Sequence, residues 1–414
     1  MNGRKKGFSI LCLRALFTFT FLVLCLVAAC NPEYKDENPG DSFRKIYDKS
    51  DNSHYLGLDV AQTPDGGYII LGEVDRAPYL LRVDEQGRFL WDTAFTLSED
   101  YQDPAPGILI RESANPGGTE YYLFCIKGTE QFNPTILLKF YEKEKRLINT
   151  EPEEIELLDK DGFKLFREPI RAAKIADDRF LLLAQYKDNL DISLLKIDTL
   201  GVVLDSEEHP YPGSCVIDYQ PGDNRCQIAA SLSDHSRSFF QTFRREVKEG
   251  SLADTLQICF MTAMGKADDP LDTNIAELEL AKPFIAMEWH GAAGDSSTLS
   301  GVRVEGGLIH YMVNVPIRDA DTYEGGEALL ELDETLPVYI QTAVSGGEEI
   351  VFFLGTARSG DIEIYAYKLA NGNFWGHMEI NGGRERYVAA GLIETHDGGL
   401  AVLGNTNIES RMGR

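Results

Sequence analysis

The chain has 414 residues, of which 43% are hydrophobic and 26% charged, with 10% aromatic and a formal net charge of −26. That much apolar material supports a real core and excludes a disordered or low-complexity chain. A negative field of this size repels phosphate backbones and anionic headgroups, so nucleic acid is not an expected partner; cationic ligands, neutral sugars and peptides stay open.

Residues 1–29 read as a signal peptide. Arg4, Lys5 and Lys6 form a basic start, and an apolar run from Leu16 to Ala29 follows. The small residues Ala28 and Ala29 then precede Cys30. A basic start, an apolar stretch and a small-residue cleavage site describe a secretory signal. A membrane-spanning anchor needs roughly 20 apolar residues, more than this run supplies, and Arg14 sits near its start. Leu26 to Cys30 resembles the bacterial lipobox, which implies that Cys30 becomes the lipidated first residue of a mature protein. Stable anchoring takes more than one acyl chain. The signal carries four basic and no acidic residues, so the mature chain is more acidic still.

Residues 30–42 read as the lipidated cysteine and a flexible tether, polar with Pro32, Pro39 and Gly40. Within it, Lys35-Asp36-Glu37 resembles the lipoprotein export signal of Bacteroidota, which implies the outer membrane and its outer face. An ordinary solvated linker is the competing reading.

Residues 43–414 read as one all-β domain. Phe43 to Tyr47 is a short strand that could close a ring by supplying a missing outer strand. Ala61 to Trp91 is the unit from which the rest is copied. It contains an Asp65-Gly66-Gly67 turn, the strand Tyr68 to Gly72, the strand Tyr79 to Asp84, a turn at Gly87 and the strand Phe89 to Trp91. Glycine supplies the positive φ that such tight turns need.

The copies recur along the chain. Leu81-Arg82-Val83-Asp84-Glu85-Gln86-Gly87 returns as Leu195-Lys196-Ile197-Asp198-Thr199-Leu200-Gly201. Thr63-Pro64-Asp65-Gly66-Gly67 returns as Thr395-His396-Asp397-Gly398-Gly399. Short strands returning every 40 to 50 residues or so, without a convincing helix, indicate a β-propeller of four-stranded antiparallel blades. Blade starts fall near Leu56, Gly107, Pro169, Cys215, Leu299, Val338 and Tyr387, which makes seven. Six or eight are the alternatives, with Ile275 to Ile285 as a candidate eighth. The same motifs resemble propeller repeats of uncharacterised envelope lipoproteins of Bacteroidota, a likeness that implies fold and compartment but no activity.

Of seven cysteines, Cys125, Cys215, Cys226 and Cys259 lie beyond the lipid site. Cys125 and Cys259 sit in apolar strands and read as core residues. Cys215 and Cys226 flank a turn and could bond in an oxidising compartment.

Chemistry is sparse. Nucleophile-elbow, zinc-protease, phosphate-loop and EF-hand motifs are absent, and neither a cofactor nor a metal is expected. The histidines are scattered. Met287-Glu288-Trp289-His290-Gly291 joins an acid, an aromatic ring and an imidazole, making Trp289 and His290 the ligand-binding candidates, for instance for a sugar. Strand alternation, however, puts Glu288 and His290 on one face and Trp289 on the other. Trp91 and Trp375 occupy similar repeat positions and read as packing residues between blades, with a paired aromatic platform as the alternative. The acidic runs Glu151 to Glu154, Asp268-Asp269 and Asp319 to Glu324 read as solvated loops, with calcium binding as the alternative. The expected function is a membrane-anchored binding or scaffold module outside the cytoplasm, with a glycan, a peptide or an envelope protein as partner. A glycan- or peptide-processing enzyme with its site at the channel mouth is the alternative.

Overall fold

The computed structural model describes residues 45, 47, 55–93, 101–128, 134–149, 151–157, 166–175, 179–186, 192–206, 227–230, 238–247, 255–264, 278–280, 284–293, 296–316, 326–382 and 385–406. Two units are distinguished, Met1–Asp48 and Lys49–Arg414. In the first only Lys45 and Tyr47 are described, neither within a strand, so most of the proposed closing strand lies outside the described residues. The described strands all belong to the second unit. No helix among the described residues is long and apolar enough to cross a membrane.

Among the described residues the strands form seven antiparallel sheets in sequence order. The first sheet holds β1 (Tyr55–Gln62), β2 (Tyr68–Val74), β3 (Ala77–Val83) and β4 (Phe89–Asp92). The second holds β5 (Tyr101–Gln102), β6 (Leu109–Glu112), β7 (Gly118–Lys127), β8 (Thr135–Lys143), β9 (Arg146–Leu147) and β10 (Glu153–Glu156). The third is β11 (Phe166–Ile175), β12 (Arg179–Tyr186), β13 (Ile192–Asp198) and β14 (Val203–Ser206). The fourth is β15 (Gln227–Ala230), β16 (Ser238–Val247), β17 (Thr255–Met264) and β18 (Leu278–Leu280). The fifth is β19 (Phe284–Ala293), β20 (Ser296–Glu305) and β21 (Leu308–Pro316). The sixth is β22 (Tyr339–Ser345), β23 (Glu348–Thr356), β24 (Ile362–Lys368) and β25 (Phe374–Ile380), and the last is β26 (Tyr387–Glu394) with β27 (Leu400–Thr406).

The repeated motifs fold alike. Thr63 and Thr395 each accept from a turn glycine, at 2.9 Å from Gly66 and 2.8 Å from Gly398, and each hydroxyl donates to the aspartate two residues on. Gly66 and Gly398 have φ of 83° and 80°, which a side chain would strain. At the later turn, Asp84 accepts from the amides of Gln86 and Arg88 at 2.9 and 2.8 Å, and Asp198 accepts from Leu200 and Val202 at 2.9 Å each. These short polar side chains replace the ladder where the chain reverses.

No sheet can bury both faces alone, so each packs on its neighbours. Ile69, Leu71 and Leu80 of the first sheet meet Tyr121, Leu123 and Leu138 of the second. Phe124 and Leu137 of the second meet Phe180, Leu182 and Leu195 of the third. Val302 and Ile309 of the fifth meet Val351 and Phe353 of the sixth, whose other face covers Ala389 and Leu392 of the seventh. Each fully buried aliphatic or aromatic side chain contributes about 1.5–3 kcal/mol. The first strands stand side by side: β11 beside β15, then β19, β22, β26 and back to β1. The second sheet fills its place differently. The stretch after β5 is stitched to its neighbours by Ala105 N–H donating to Phe124 O at 2.9 Å and Ala172 N–H donating to Pro106 O at 2.8 Å.

A polar clamp joins the first two sheets. Arg82, 1% exposed, donates to Glu142 at 3.1 Å and to Asp65 at 2.5 Å. The same Glu142 oxygen accepts from Trp91 at 3.1 Å and Tyr121 at 2.7 Å. The seam between first and last sheets uses Asn405, whose amide mimics a strand. It accepts from Gly57 N–H at 2.7 Å and donates to Gly57 O at 3.0 Å.

The blade start expected at Leu299 is corrected: Leu299 lies in the second strand of the fifth sheet, which begins at Phe284. Within Ile275 to Ile285, the described residues supply β18 and the start of β19, not an eighth sheet. Cys215 and Cys226 lie outside the described residues, as do Asp268-Asp269 and Asp319 to Glu324. Cys125 is a free, fully buried core thiol whose pKa burial pushes up. Cys259 lies in β17, opposite Phe243 and Leu280. Glu153 and Glu154 are occupied by lysines, Glu153 by Lys139 at 3.4 Å and Glu154 by Lys127 at 2.5 Å.

Candidate functional site

Because the first strands stand around an axis, their polar side chains can meet there although they are far apart in sequence. The fifth sheet supplies the densest group. Alternation along β19 sends Glu288 and His290 to the same side, and both reach Thr342 on β22. Glu288 accepts from the Thr342 amide at 3.0 Å and from its hydroxyl at 2.9 Å. His290 Nδ1 lies 3.5 Å from the same hydroxyl, and its Nε2 lies 2.6 Å from Ser300 Oγ.

A backbone irregularity completes the chain of contacts. Opposite Ser300 the register of β20 and β21 shifts between Leu299 and Gly301, and Asn314 takes a φ of 53°. A bulge frees an amide from the ladder, and the Asn314 N–H donates to Ser300 Oγ at 3.1 Å. Thr342 has one hydroxyl proton and gives it to Glu288, so His290 is assigned its ring proton on Nδ1, facing Thr342, and its bare Nε2 accepts from the Ser300 hydroxyl. The result is a single-file hydrogen-bond path from Ser300 to a carboxyl group.

Electrostatics hold this path without net charge. Burial pushes the His290 imidazole down to about 4. Burial pushes Glu288 up to about 7, opposed by its bonds from Thr342 and assisted by the charge of Glu394. Glu394, at the end of β26, accepts from the Val344 amide at 3.1 Å.

A second group draws on the first and third sheets and again on the sixth. Asp59 on β1 accepts from the amides of Gly107 and Ile108, each at 3.1 Å. Burial raises its pKa, while those amides and the charge of Arg171 on β11 act the other way. Tyr339 on β22 is raised by burial and feels both Arg171 and Asp59. Asp59, Arg171, Glu288, His290, Tyr339 and Thr342 are all half-buried. These side chains therefore line surface that solvent reaches.

Chemically, this lining offers donors, acceptors and a proton held near neutral pH. Ser300 is fully buried, so it anchors His290 and is not exposed as a nucleophile. Among the described residues no group of three His, Cys, Asp or Glu side chains could hold a metal ion.

Of the candidates read from sequence, His290 belongs to this path. Trp289 pairs with Leu299 in the ladder, its side chain lying outside the described residues. Cys30 also lies outside them. Trp91 is buried against Tyr121, their ring centroids 5.9 Å apart, whereas Trp375 is 46% exposed, so the two tryptophans form no platform. Asp59, Arg171, Ser300, Tyr339, Thr342 and Glu394 were missed. A charge interrupting the apolar pattern of a first strand, as at Asp59, was the available signal.

Small antiparallel sheets packed face to face, with their first strands around an axis, define a β-propeller. No family model matches the chain, and no curated protein matches it. Among solved structures it is similar to AofleA from Arthrobotrys oligospora, with 10% identity, a TM-score of 0.43 and coverage of 80% of this chain and 88% of that one. It is similar to the six-bladed lectin of Aleuria aurantia, with 10% identity, a TM-score of 0.38 and coverage of 80% and 96%. The β-propeller domain of the Trilobed protease from Pyrococcus furiosus is also similar, with 11% identity, a TM-score of 0.39 and coverage of 85% and 97%.

Proposed function

We propose that the chain is a binding module with its ligand seat on the propeller axis. It would be carried to the bacterial outer membrane as a lipoprotein and held there by acyl chains on Cys30. The observation that carries the ligand seat is a pair of half-open polar groups on the first strands of four sheets, Glu288 with His290 and Asp59 with Arg171 and Tyr339, of which Asp59, Glu288, His290 and Tyr339 are shifted by burial. Polar groups fixed by backbone amides and set in an apolar surround are what a small, selective pocket needs. The ligand fitting them offers both donors and acceptors, as a sugar or a peptide end does.

A thermal-shift screen of the mature chain against glycans and peptides tests this. A hit should stabilise the parent and lose that effect in Asp59→Asn and Glu288→Gln. Stabilisation by no compound, or a shift that survives both substitutions, refutes the seat. The anchor is tested separately: Cys30→Ala should release the protein from membranes, and continued attachment refutes lipidation.

The second reading is an enzyme that cleaves a glycan or a peptide. It is favoured by Glu288, an acid whose pKa is pushed up to about 7 and which feels the charge of a second carboxylate, Glu394. Turnover abolished in Glu288→Gln with binding retained would select it.

A further inference from the structure

We propose that β25, the outer strand of the sixth sheet, is a docking edge for an extended basic segment of a partner protein. This strand is hydrogen-bonded to β24 on one side and has no second neighbour among the described residues. Its outer amides and carbonyls are therefore a template for another strand. The sequence Phe374-Trp375-Gly376-His377-Met378-Glu379-Ile380 contains no Lys, Arg or Pro, the residues that usually blunt an edge. Instead it exposes Phe374 at 61%, Trp375 at 46% and Met378 at 49%.

The two flanks of β25 differ in chemistry. A register shift between Ala366 and Tyr367 puts Phe374 on the same side as Tyr367 and His377, while Trp375 lies on the side of Phe352. Trp375 packs edge-on against Phe352 at 6.1 Å, and Met378, opposite Ile364, shares that apolar side. On the other side Phe374 meets Tyr367 at 5.7 Å, Tyr367 stacks on Tyr311 at 4.1 Å, and Tyr365 stacks on His377 at 4.6 Å. Carboxylates surround these rings. Glu363 pairs with His377 and stands opposite Glu379. Glu331 acts on Tyr365 and Glu327 on Tyr367, from the segment that precedes β22.

The nearby cations are already engaged, Lys368 by Glu348 at 2.7 Å and Arg358 by Glu334 at 2.8 Å. Charge complementarity thus selects a cationic occupant, and the ring faces reward one further through cation–π attraction. Side chains of an added strand alternate between the flanks. A segment with basic residues at every second position and apolar residues between them would place Lys or Arg on the acidic aromatic flank and its apolar groups on Trp375 and Met378.

Isothermal titration calorimetry on the mature chain, with a peptide of alternating lysine and valine, tests this. The control is the same peptide with glutamate for lysine. The lysine peptide should bind at least about tenfold more tightly, and added salt should weaken it. Glu379→Lys and Trp375→Ser, both at exposed positions, should each weaken it by about tenfold with the melting temperature unchanged. Equal affinity for both peptides, no binding of either, or undiminished binding by both variants overturns the proposal. So does an edge occupied by a neutral oligosaccharide in preference to the peptide. The axial seat is untouched by these variants, so the two proposals fail independently.

Discussion

Replacing His290 with Asn and, separately, Glu288 with Gln should tilt the pH dependence of stability in opposite directions. In the native protein His290 is lowered from 6.5 to about 4, and Glu288 is raised from 4.5 to about 7. Between pH 4.5 and 6.5 the unfolded chain ionises both groups, whereas the folded chain keeps a neutral carboxyl beside a neutral imidazole. Both states then hold the same number of protons, and the pair contributes no slope. Above that window the folded state holds one more proton at Glu288, so stability falls as the pH rises through about 7. Below it the folded state lacks the proton that unfolded His290 takes up, so stability falls as the pH drops toward 4.

Each variant exposes the term that its partner balanced. One proton of difference between the folded and unfolded states is worth about 1.4 kcal/mol per pH unit, and screening by the water that reaches these half-open side chains narrows the pH window rather than that slope. Relative to the parent, His290→Asn should lose that amount per pH unit between about pH 4 and 6.5. Glu288→Gln should gain it between about pH 4.5 and 7. Urea unfolding at a series of pH values, read as differences from the parent, measures both slopes. Two flat differences, or two of the same sign, would refute the neutral-pair account.

Other expectations follow from the seams between sheets. Glu142→Ala leaves Arg82 buried with one partner fewer and should cost about 3–5 kcal/mol, read as a fall in the urea midpoint. Replacing Arg82 by Met and Glu142 by Leu together should recover most of that loss. Asn405→Ala removes two hydrogen bonds to Gly57 and should cost about 1–3 kcal/mol, with faster hydrogen exchange confined to β1 and β27. Gly107→Ala would put a methyl group 2.1 Å from the Ala172 carbonyl at a φ of 114°. Such a clash and strain should cost several kcal/mol, on the order of a severe core mutation, seen as a lower melting temperature.

Much of the fold was legible because the turns carry their own chemistry. Thr63-Pro64-Asp65-Gly66-Gly67 and Thr395-His396-Asp397-Gly398-Gly399 need no tertiary context to reverse the chain, and Asp84 and Asp198 close equivalent hairpins. The fifth sheet was misplaced by one strand because its first hairpin, between Ala293 and Ser296, lacks that Asp-Gly-Gly signal. The likeness of Trp91 to Trp375 also misled. The two sheets carry the same bulge, and Trp375 takes the place of Leu90, one residue short of Trp91. The site was harder still. Asp59 and Tyr339 are 280 residues apart in number and meet only because the first and sixth sheets share one axis. Alternation alone paired Glu288 with His290, but Thr342 and Ser300 enter through inter-sheet packing and a register shift, neither of which a linear pattern encodes.

The seam held by Asn405 has a mechanical consequence. Every other adjacent pair of sheets is joined by continuous chain as well as by packing, but among the described residues this pair is joined by side chains alone. It is the slit in a split washer: the place where the circle can spread by a small angle while every hairpin keeps its ladder. Stapling it, for example with a pair of cysteines across β1 and β27, would convert a hinge into a weld and make the bore rigid. If the axial pocket must widen to admit its guest, that staple would slow entry and exit together.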